Sequence, residues 1–315
     1  MSLVLCLLSA AGCQKGIYKK KYAAAGTILE VTSPDKRAAK IVYDEFRRLE
    51  KIFNLYDSKS ELSRLNETFN TPFDVSPEMI EVIDLAKQVY EYTDGSFDVS
   101  CGEIYRFWKE VIAKKNISKL PPKSEIDKLK ELCGMRFIDI NKDAKTIAIR
   151  KKGLKIDLGG IAKGYMADKA VQKLKEHGIE SALINAGGDI YCLGTNGNNF
   201  WRVGIKNPEE LLGLLETQEL ANEAIATSGN YEQFFELEGR RYSHIIDPVS
   251  GYPVENSCVS VTVVNKNCSS ADALATAFFV MGKDAVRKTI SRTPSTMKVF
   301  VLTDEKEGKR LHFIR

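Results

Sequence analysis

The period of the apolar positions changes several times along the chain, and each change marks an element. Ala24 to Thr32 is rich in β-branched residues and predicts a strand. Pro34 then opens an amphipathic helix to Phe53, with Ala38, Ile41, Val42, Phe46, Leu49 and Phe53 on one face. Asp57 to Asn66 reads as a polar turn with a short helix. Ser76-Pro77 caps a further helix to Thr93, which Asp94-Gly95 ends, and Ser96 to Val99 follows as an extended piece. Ile104 to Ala113 and Ser124 to Leu132 read as helices on either side of the Pro121-Pro122 loop. Phe137 to Ile140 and Thr146 to Arg150 read as strands around the turn Asn141-Lys142-Asp143.

The second half opens with a strand at Leu154 to Leu158. Gly159-Gly160 turns it into a helix from Ala162 to His177, closed by Gly178. Strands follow at Ser181 to Asn185, Ile190 to Leu193, Trp201 to Ile205, Ala224 to Thr227, Gln233 to Leu237, Arg241 to Ile245 and Cys258 to Val264. Ser269 to Val280 predicts a helix, and Met297 to Thr303 and Leu311 to Ile314 predict the closing strands. Neighbouring short strands with helices beside them argue for an α+β fold with mostly antiparallel sheets. A clean βαβ alternation and a GxGxxG turn are both missing, which argues against a dinucleotide-binding Rossmann domain.

At 315 residues the chain suits one large domain or two small ones. A net charge of +4 with dispersed lysines offers no nucleic-acid stripe. Leu3 to Ala11 is a short apolar run before Gly12-Cys13, too short to span a bilayer and suited to a signal-peptide core. Small residues directly before a cysteine match a bacterial lipoprotein signal. Residues 1–13 are therefore read as a signal segment ending at a lipidated Cys13, 14–23 as a linker and 24–315 as the functional domain. Lys19-Lys20-Lys21 is read either as a solvated tether near a membrane or as plain surface. Of seven cysteines, Cys101, Cys133, Cys192, Cys258 and Cys268 lie in the domain. With no CxxC and three histidines, a zinc site is disfavoured.

Several polar segments carry candidate chemistry. The Gly159-Gly160 turn before a helix N-terminus is a shape suited to phosphate, or else an ordinary strand–turn–helix corner. Lys163 in the first turn opposes the helix dipole, which makes sense if an anion binds there. Asp272 and Thr276 lie one turn apart on an otherwise apolar helix. Asp272 either caps that helix or, with Thr276, supplies oxygen ligands to Mg²⁺ beside substrate phosphates. His244 ends a strand and faces a loop. Asn185 and Asp189 flank Gly187-Gly188 and either hold a ligand or shape the turn. Tyr56 and Phe97 are aromatics in polar loops, either packed in the core or flanking a flat ring.

Together these segments resemble one family. Asp157-Leu-Gly-Gly-Ile-Ala-Lys-Gly-Tyr-Met-Ala-Asp168, Asn185-Ala-Gly-Gly-Asp189, Ser228-Gly, Tyr242-Ser-His-Ile-Ile-Asp-Pro248 and Ala271-Asp-Ala-Leu-Ala-Thr276 are similar to the ApbE family of FAD:protein FMN transferases. So are Gly26-Thr27, Asp57 to Asn66 and Asp94-Gly-Ser-Phe-Asp98, and the resemblance runs from residue 24 to 303. It implies a T-fold-like α+β architecture and a Mg²⁺-dependent transfer of FMN from FAD to a threonine hydroxyl of a target flavoprotein, with release of AMP. The implied acceptors are subunits of membrane redox complexes and other extracytoplasmic flavoproteins. The implied location is the bacterial cell envelope, lipid-anchored and facing the periplasm or exterior. Asp272, Thr276 and the Gly160 carbonyl match the family's metal ligands. Ala25, Tyr56, Ser96, Phe97, Asp98, Asp157, Lys163 and Ile246 match positions that line FAD. His244 is assigned to deprotonate the acceptor threonine, with Asp272 as the other catalytic residue. Three departures stand out: Ala25 where Met is usual, Lys163 where some members are acidic, and Ala275 where some carry a further carboxylate. Two alternatives remain beside the transferase, an FAD pyrophosphatase giving free FMN and AMP, and a non-catalytic flavin-binding lipoprotein.

Overall fold

Strand residues of the second half alternate between two separate cores, so one sheet is buried on both faces. The computed structural model describes residues 16–114, 119–210, 213–231, 234–292, 296–306 and 308–315. The elements are, in chain order, β1 (Tyr18–Ala24), β2 (Thr27–Ser33), α1 (Ala38–Phe53), α2 (Glu61–Asn66), β3 (Phe73–Asp74), α3 (Pro77–Tyr92), α4 (Gly102–Ala113) and α5 (Lys123–Lys130). A short 3-10 turn then leads into β4 (Ile138–Asn141), β5 (Thr146–Ile149), α6 (Ala162–Glu176), β6 (Ala182–Ala186), β7 (Asp189–Leu193), β8 (Trp201–Lys206) and β9 (Leu214–Leu220). The chain closes with β10 (Glu223–Gly229), β11 (Phe234–Leu237), β12 (Arg240–Ser243), β13 (Cys258–Asn265), α7 (Cys268–Met281), α8 (Lys283–Ser291), β14 (Lys298–Glu305) and β15 (Gly308–Ile314).

Eight strands form one sheet in the order β1-β2-β6-β7-β10-β13-β14-β15. Every pairing in it is antiparallel. This is the expected α+β architecture. Ile184, Tyr191, Ala224, Ala226, Val261, Val263, Val299 and Val301 point to one face, where α1, α6 and α7 pack. The intervening residues Leu183, Ile190, Cys192, Ile225, Val264 and Phe300 point to the other face. There the β8–β9 hairpin covers them with Trp201, Val203, Ile205 and Leu220. Period-two side-chain alternation thus places successive residues of one strand in different cores. A third cluster joins α4 and α5 to the β11–β12 hairpin around Trp108, whose indole N–H donates to the Gly251 carbonyl at 2.7 Å. That cluster seats the segment carrying His244 and Ile246 against α4.

The structure departs from the sequence pattern in identifiable places. The single strand expected at Ala24 to Thr32 is a hairpin, β1 and β2, turning at Ala25 (φ 50°) and Gly26 (φ 68°). Part of the stretch read as linker is therefore an edge strand. Lys19 and Lys21 on it both pair with Glu30, at 2.6 and 3.0 Å, so two of the three lysines in the run are tied to the sheet edge. Leu154 to Leu158 is extended but makes no strand ladder. The Asn66 side chain stands in for a neighbouring strand, donating to the Ile156 carbonyl at 2.9 Å and accepting from its N–H at 2.7 Å. The pattern missed β9, whose residues are mostly polar, and α8, which buries only Val286, Thr289 and Ile290. The expected signal segment and Cys13 lie outside the described residues. Among the described residues, no helix is long and apolar enough to cross a membrane.

Candidate active site

Two helices that cap each other form the floor of the site. Helix α6 starts after the Gly159-Gly160 turn with Ile161 at its N-cap, which has no side chain to accept its first amides. Asp272 from α7 supplies one acceptor: the Gly164 N–H donates to its Oδ2 at 3.2 Å. In return, Asp168 of α6 caps α7. Its carboxylate accepts from the Cys268 and Ser269 N–H groups at 2.8 and 2.9 Å and from the Ser269 hydroxyl at 2.6 Å. Carboxylates at helix N-termini satisfy free amides and complement the dipole. Asp272 therefore caps a helix, but α6 rather than its own.

The exchange of caps demands close approach, and Gly164 permits it. A Cβ there would lie 2.4 Å from the Cys268 carbonyl oxygen and 2.8 Å from the Ser269 Cα. Gly160 serves the same end at the turn, where a Cβ would stand 3.1 Å from the Phe97 ring and 3.6 Å from Thr276 Oγ1. The Thr276 hydroxyl also lies 3.1 Å from Ser228 Oγ of β10.

Lys163 projects between two carboxylates. Its Nζ is 2.9 Å from Asp189 Oδ2 and 3.5 Å from Asp272 Oδ2. Burial disfavours the charged ammonium, but Asp189 and Asp272 outweigh that cost and push its pKa up. The anion that makes sense of a lysine in this helix turn is thus already present in the protein, in a residue that sequence reading had left open. Asp189 is reached because Gly187 (φ 67°) and Gly188 (φ 107°) turn the chain between β6 and β7, with the Gly188 N–H donating to Asn185 Oδ1 at 2.9 Å.

The opposite wall comes from the first half of the chain. Asp94 (φ 50°) and Gly95 (φ 83°) end α3 and lead into Ser96, Phe97 and Asp98. Phe97 is buried. The Asp98 carboxylate accepts from the Ser100 N–H at 2.8 Å and its hydroxyl at 2.6 Å, yet burial dominates and raises its pKa. Asp157 closes an Asx turn by accepting from the Gly159 N–H at 2.7 Å, and burial raises its pKa too. Ala25 reaches the rim from the β1–β2 turn, its N–H held by Glu50. Tyr56 stands 75% exposed at the mouth, with the Lys109 ammonium 4.3 Å from its ring centroid.

These residues line one cavity of about 860 Å³. Ala25, Tyr56, Ser96, Phe97, Asp98, Asp157, Gly160, Lys163, His244, Ile246, Asp272 and Thr276 are all on its wall, whereas Asn185, also singled out from the sequence, is not among the lining residues and shapes the turn. Asp189, Ser228 and Lys109 line it as well. The role of Asp168 was not foreseen, although it ends the glycine-rich motif. The spacing of three and four residues from the amides it caps, Ser269 and Cys268, to Asp272 becomes meaningful only once α6 and α7 are side by side.

Among the described residues, no three His, Cys, Asp or Glu side chains form a closed metal cage. The gathered donors around Asp272 and Thr276 are oxygens, with few carboxylates. That set fits Mg²⁺, which binds through one or two carboxylates and completes its shell with substrate phosphates and water.

Comparison with known proteins gives the same direction. The ApbE family profile matches residues 25–301. A FAD:protein FMN transferase of Vibrio cholerae is 33% identical over 312 aligned positions, covering 95% of this chain and 92% of that protein. One from Treponema pallidum is 28% identical over 97% of this chain and 91% of its own. Among solved structures, flavin transferase ApbE from Vibrio cholerae superposes with a TM-score of 0.84 at 28% identity, covering 95% of this chain and 97% of that one. The ApbE protein of Thermotoga maritima superposes at 0.83 and 29% identity, with the same coverage. The chain belongs to the ApbE family, and the enzymes it is similar to are flavin transferases.

Proposed function

We propose that this protein transfers FMN from FAD to a threonine hydroxyl of a target flavoprotein and releases AMP, with Mg²⁺ as cofactor. The observation that carries the reading is the single cavity in which the α6 N-terminus, the Asp272–Thr276 pair and His244 meet. The positive dipole end of α6 favours the FAD pyrophosphate at the Gly159-Gly160 turn. Phe97 and Tyr56 offer aromatic faces to the flat rings of the substrate. Asp98 and Asp157 present carboxyl groups whose raised pKa values suit hydrogen bonding to its polar edges.

Asp272, Thr276 and the Gly160 carbonyl would hold the cation, which when bound neutralises the pyrophosphate and the departing AMP. Lys163, between Asp189 and Asp272, keeps the carboxylates oriented and adds positive charge beside the phosphates. His244 accepts the threonine proton as the threonine oxygen bonds to the FMN phosphorus and the bond from that phosphorus to the bridging oxygen breaks. AMP keeps the bridging oxygen. General-base assistance of this kind contributes about 10²- to 10⁴-fold, and in-line positioning of the acceptor supplies much of the rest.

The apolar run before Cys13 supports attachment through lipid at that residue, placing the domain outside the cytoplasmic membrane of a bacterial cell. Acceptors would then be flavin subunits of membrane redox complexes or extracytoplasmic flavoproteins.

The test is incubation of the protein with FAD, Mg²⁺ and an acceptor bearing a flavinylation threonine, followed by intact mass measurement. The expected result is an acceptor heavier by one FMN, AMP in solution, and loss of both with EDTA or in Asp272→Ala. Free FMN and AMP without labelled acceptor would replace transfer by hydrolysis, and unchanged bound FAD would leave only binding.

A further inference from the structure

Two cysteines that the flavin site does not use stand on adjoining segments behind the loop that carries Asp98. Cys101 is the N-cap of α4 and is 1% exposed, whereas Cys133 follows α5 and is half-buried. Cys133 packs against the apolar cluster around Trp108 to which Cys101 belongs, and its thiol donates to the Leu129 carbonyl at 3.4 Å. The backbones beside them are tied together as well. The Gly134 N–H donates to Ser100 Oγ at 2.7 Å, one residue from each cysteine. The same Ser100 hydroxyl donates to Asp98 Oδ1 at 2.6 Å on the cavity wall. The remaining described cysteines sit in β7, β13 and at the start of α7, all buried.

We propose that Cys101 and Cys133 are a modification site for disulfide oxidants, closing to a reversible intrachain disulfide that staples α5 to the Asp98 loop. Cys133 is the entry thiol because it is the accessible one. Its thiolate attacks the oxidant's disulfide and releases one oxidant thiol, leaving a mixed disulfide. The Cys101 sulfur then attacks the Cys133 sulfur, and its proton leaves with the second oxidant thiol. Two protein thiols thereby lose two electrons and two protons, and one external disulfide becomes two thiols. The Cys133 contact and burial both push the Cys101 pKa up, which makes the second step the slow one.

The staple closes a loop that contains α4, the Pro121-Pro122 turn and α5, so it restricts the unfolded chain. It also fixes Ser100 from behind, and through Ser100 the position of Asp98.

The experiment uses the full chain, equilibrated either with oxidised glutathione or with dithiothreitol, then blocked by alkylation and digested without reduction. The expected result is a linked peptide pair containing Cys101 and Cys133, with a melting temperature roughly 5 °C above that of the reduced protein. Cys133→Ser should show no linked pair and no redox-dependent shift, and Cys101→Ala supplies the same control should the first variant fold poorly. Full alkylation of both cysteines in the oxidised wild-type sample would overturn the proposal. So would a stable glutathione adduct on Cys133 that Cys101 does not displace; neither outcome bears on flavin transfer.

Discussion

Gly164→Ala is a sharp test because helix propensity and tertiary packing give it opposite signs. Gly164 lies inside α6, where replacing glycine by alanine normally stabilises by about 0.5–1 kcal/mol through backbone entropy. In this fold the added Cβ would meet the Cys268 carbonyl oxygen at 2.4 Å, its carbon at 2.6 Å and the Ser269 Cα at 2.8 Å. All three are backbone atoms at the capped start of α7, so no rotamer change relieves the overlap. Forcing extra volume into a packed contact costs about 1–3 kcal/mol. The clash therefore wins, with a net loss of about 1–2 kcal/mol and a melting temperature lower by roughly 2–5 °C. Separating the helices also lengthens the contacts from Gly164 N–H and Lys163 to Asp272, so the proposed FMN transfer should fall more than stability does. Thermal unfolding by circular dichroism and the acceptor-mass assay check both parts. An unchanged or raised melting temperature would refute the close-approach argument.

Other expectations follow from the same contacts. Asp168→Ala leaves two α7 amides and the Ser269 hydroxyl without their acceptor and should destabilise by about 2–4 kcal/mol in urea unfolding, with Asp168→Asn losing less. Asn66→Ala removes the side chain that satisfies both polar groups of Ile156 and should cost about 2–3 kcal/mol by the same measurement, without altering the flavin product formed. Glu305 accepts from Lys283, Thr303 and His312, which lower its pKa from 4.5 to about 2. Its folded pKa is depressed, so its contribution is complete above pH 4.5 and is lost as pH falls through about 2. The melting-temperature gap between wild type and Glu305→Gln should accordingly be present above pH 4.5 and close toward pH 2; a gap that persists at pH 2 would contradict the assigned cause.

Local chemistry was legible wherever one segment carries its own signal. Ser76 accepts from the Met79 N–H as the N-cap of α3, with Pro77 at the first helical position, as the Ser-Pro pair predicts. The alternating apolar strands, the Gly159-Gly160 turn into α6, and the one-turn spacing of Asp272 and Thr276 are likewise properties of neighbouring residues. The polar composition of β9 hides a strand because its partner β8 and the sheet it covers lie elsewhere in the chain. Leu154 to Leu158 has strand composition but forms only an isolated bridge at Lys155, since the Asn66 side chain meets both backbone groups of Ile156.

By itself, then, the amino-acid sequence determined the fold class and the family, and it singled out residues that come to line one cavity. Periodicity, caps and motif spacing act over a few residues and survive in one dimension. Only the tertiary structure decided what each charged group does. Asp272 caps α6 although it lies on α7, and Asp168 caps α7 although it lies on α6. Those roles depend on a contact between helices about a hundred residues apart, and such pairings are set by packing at Gly164 rather than by any local pattern.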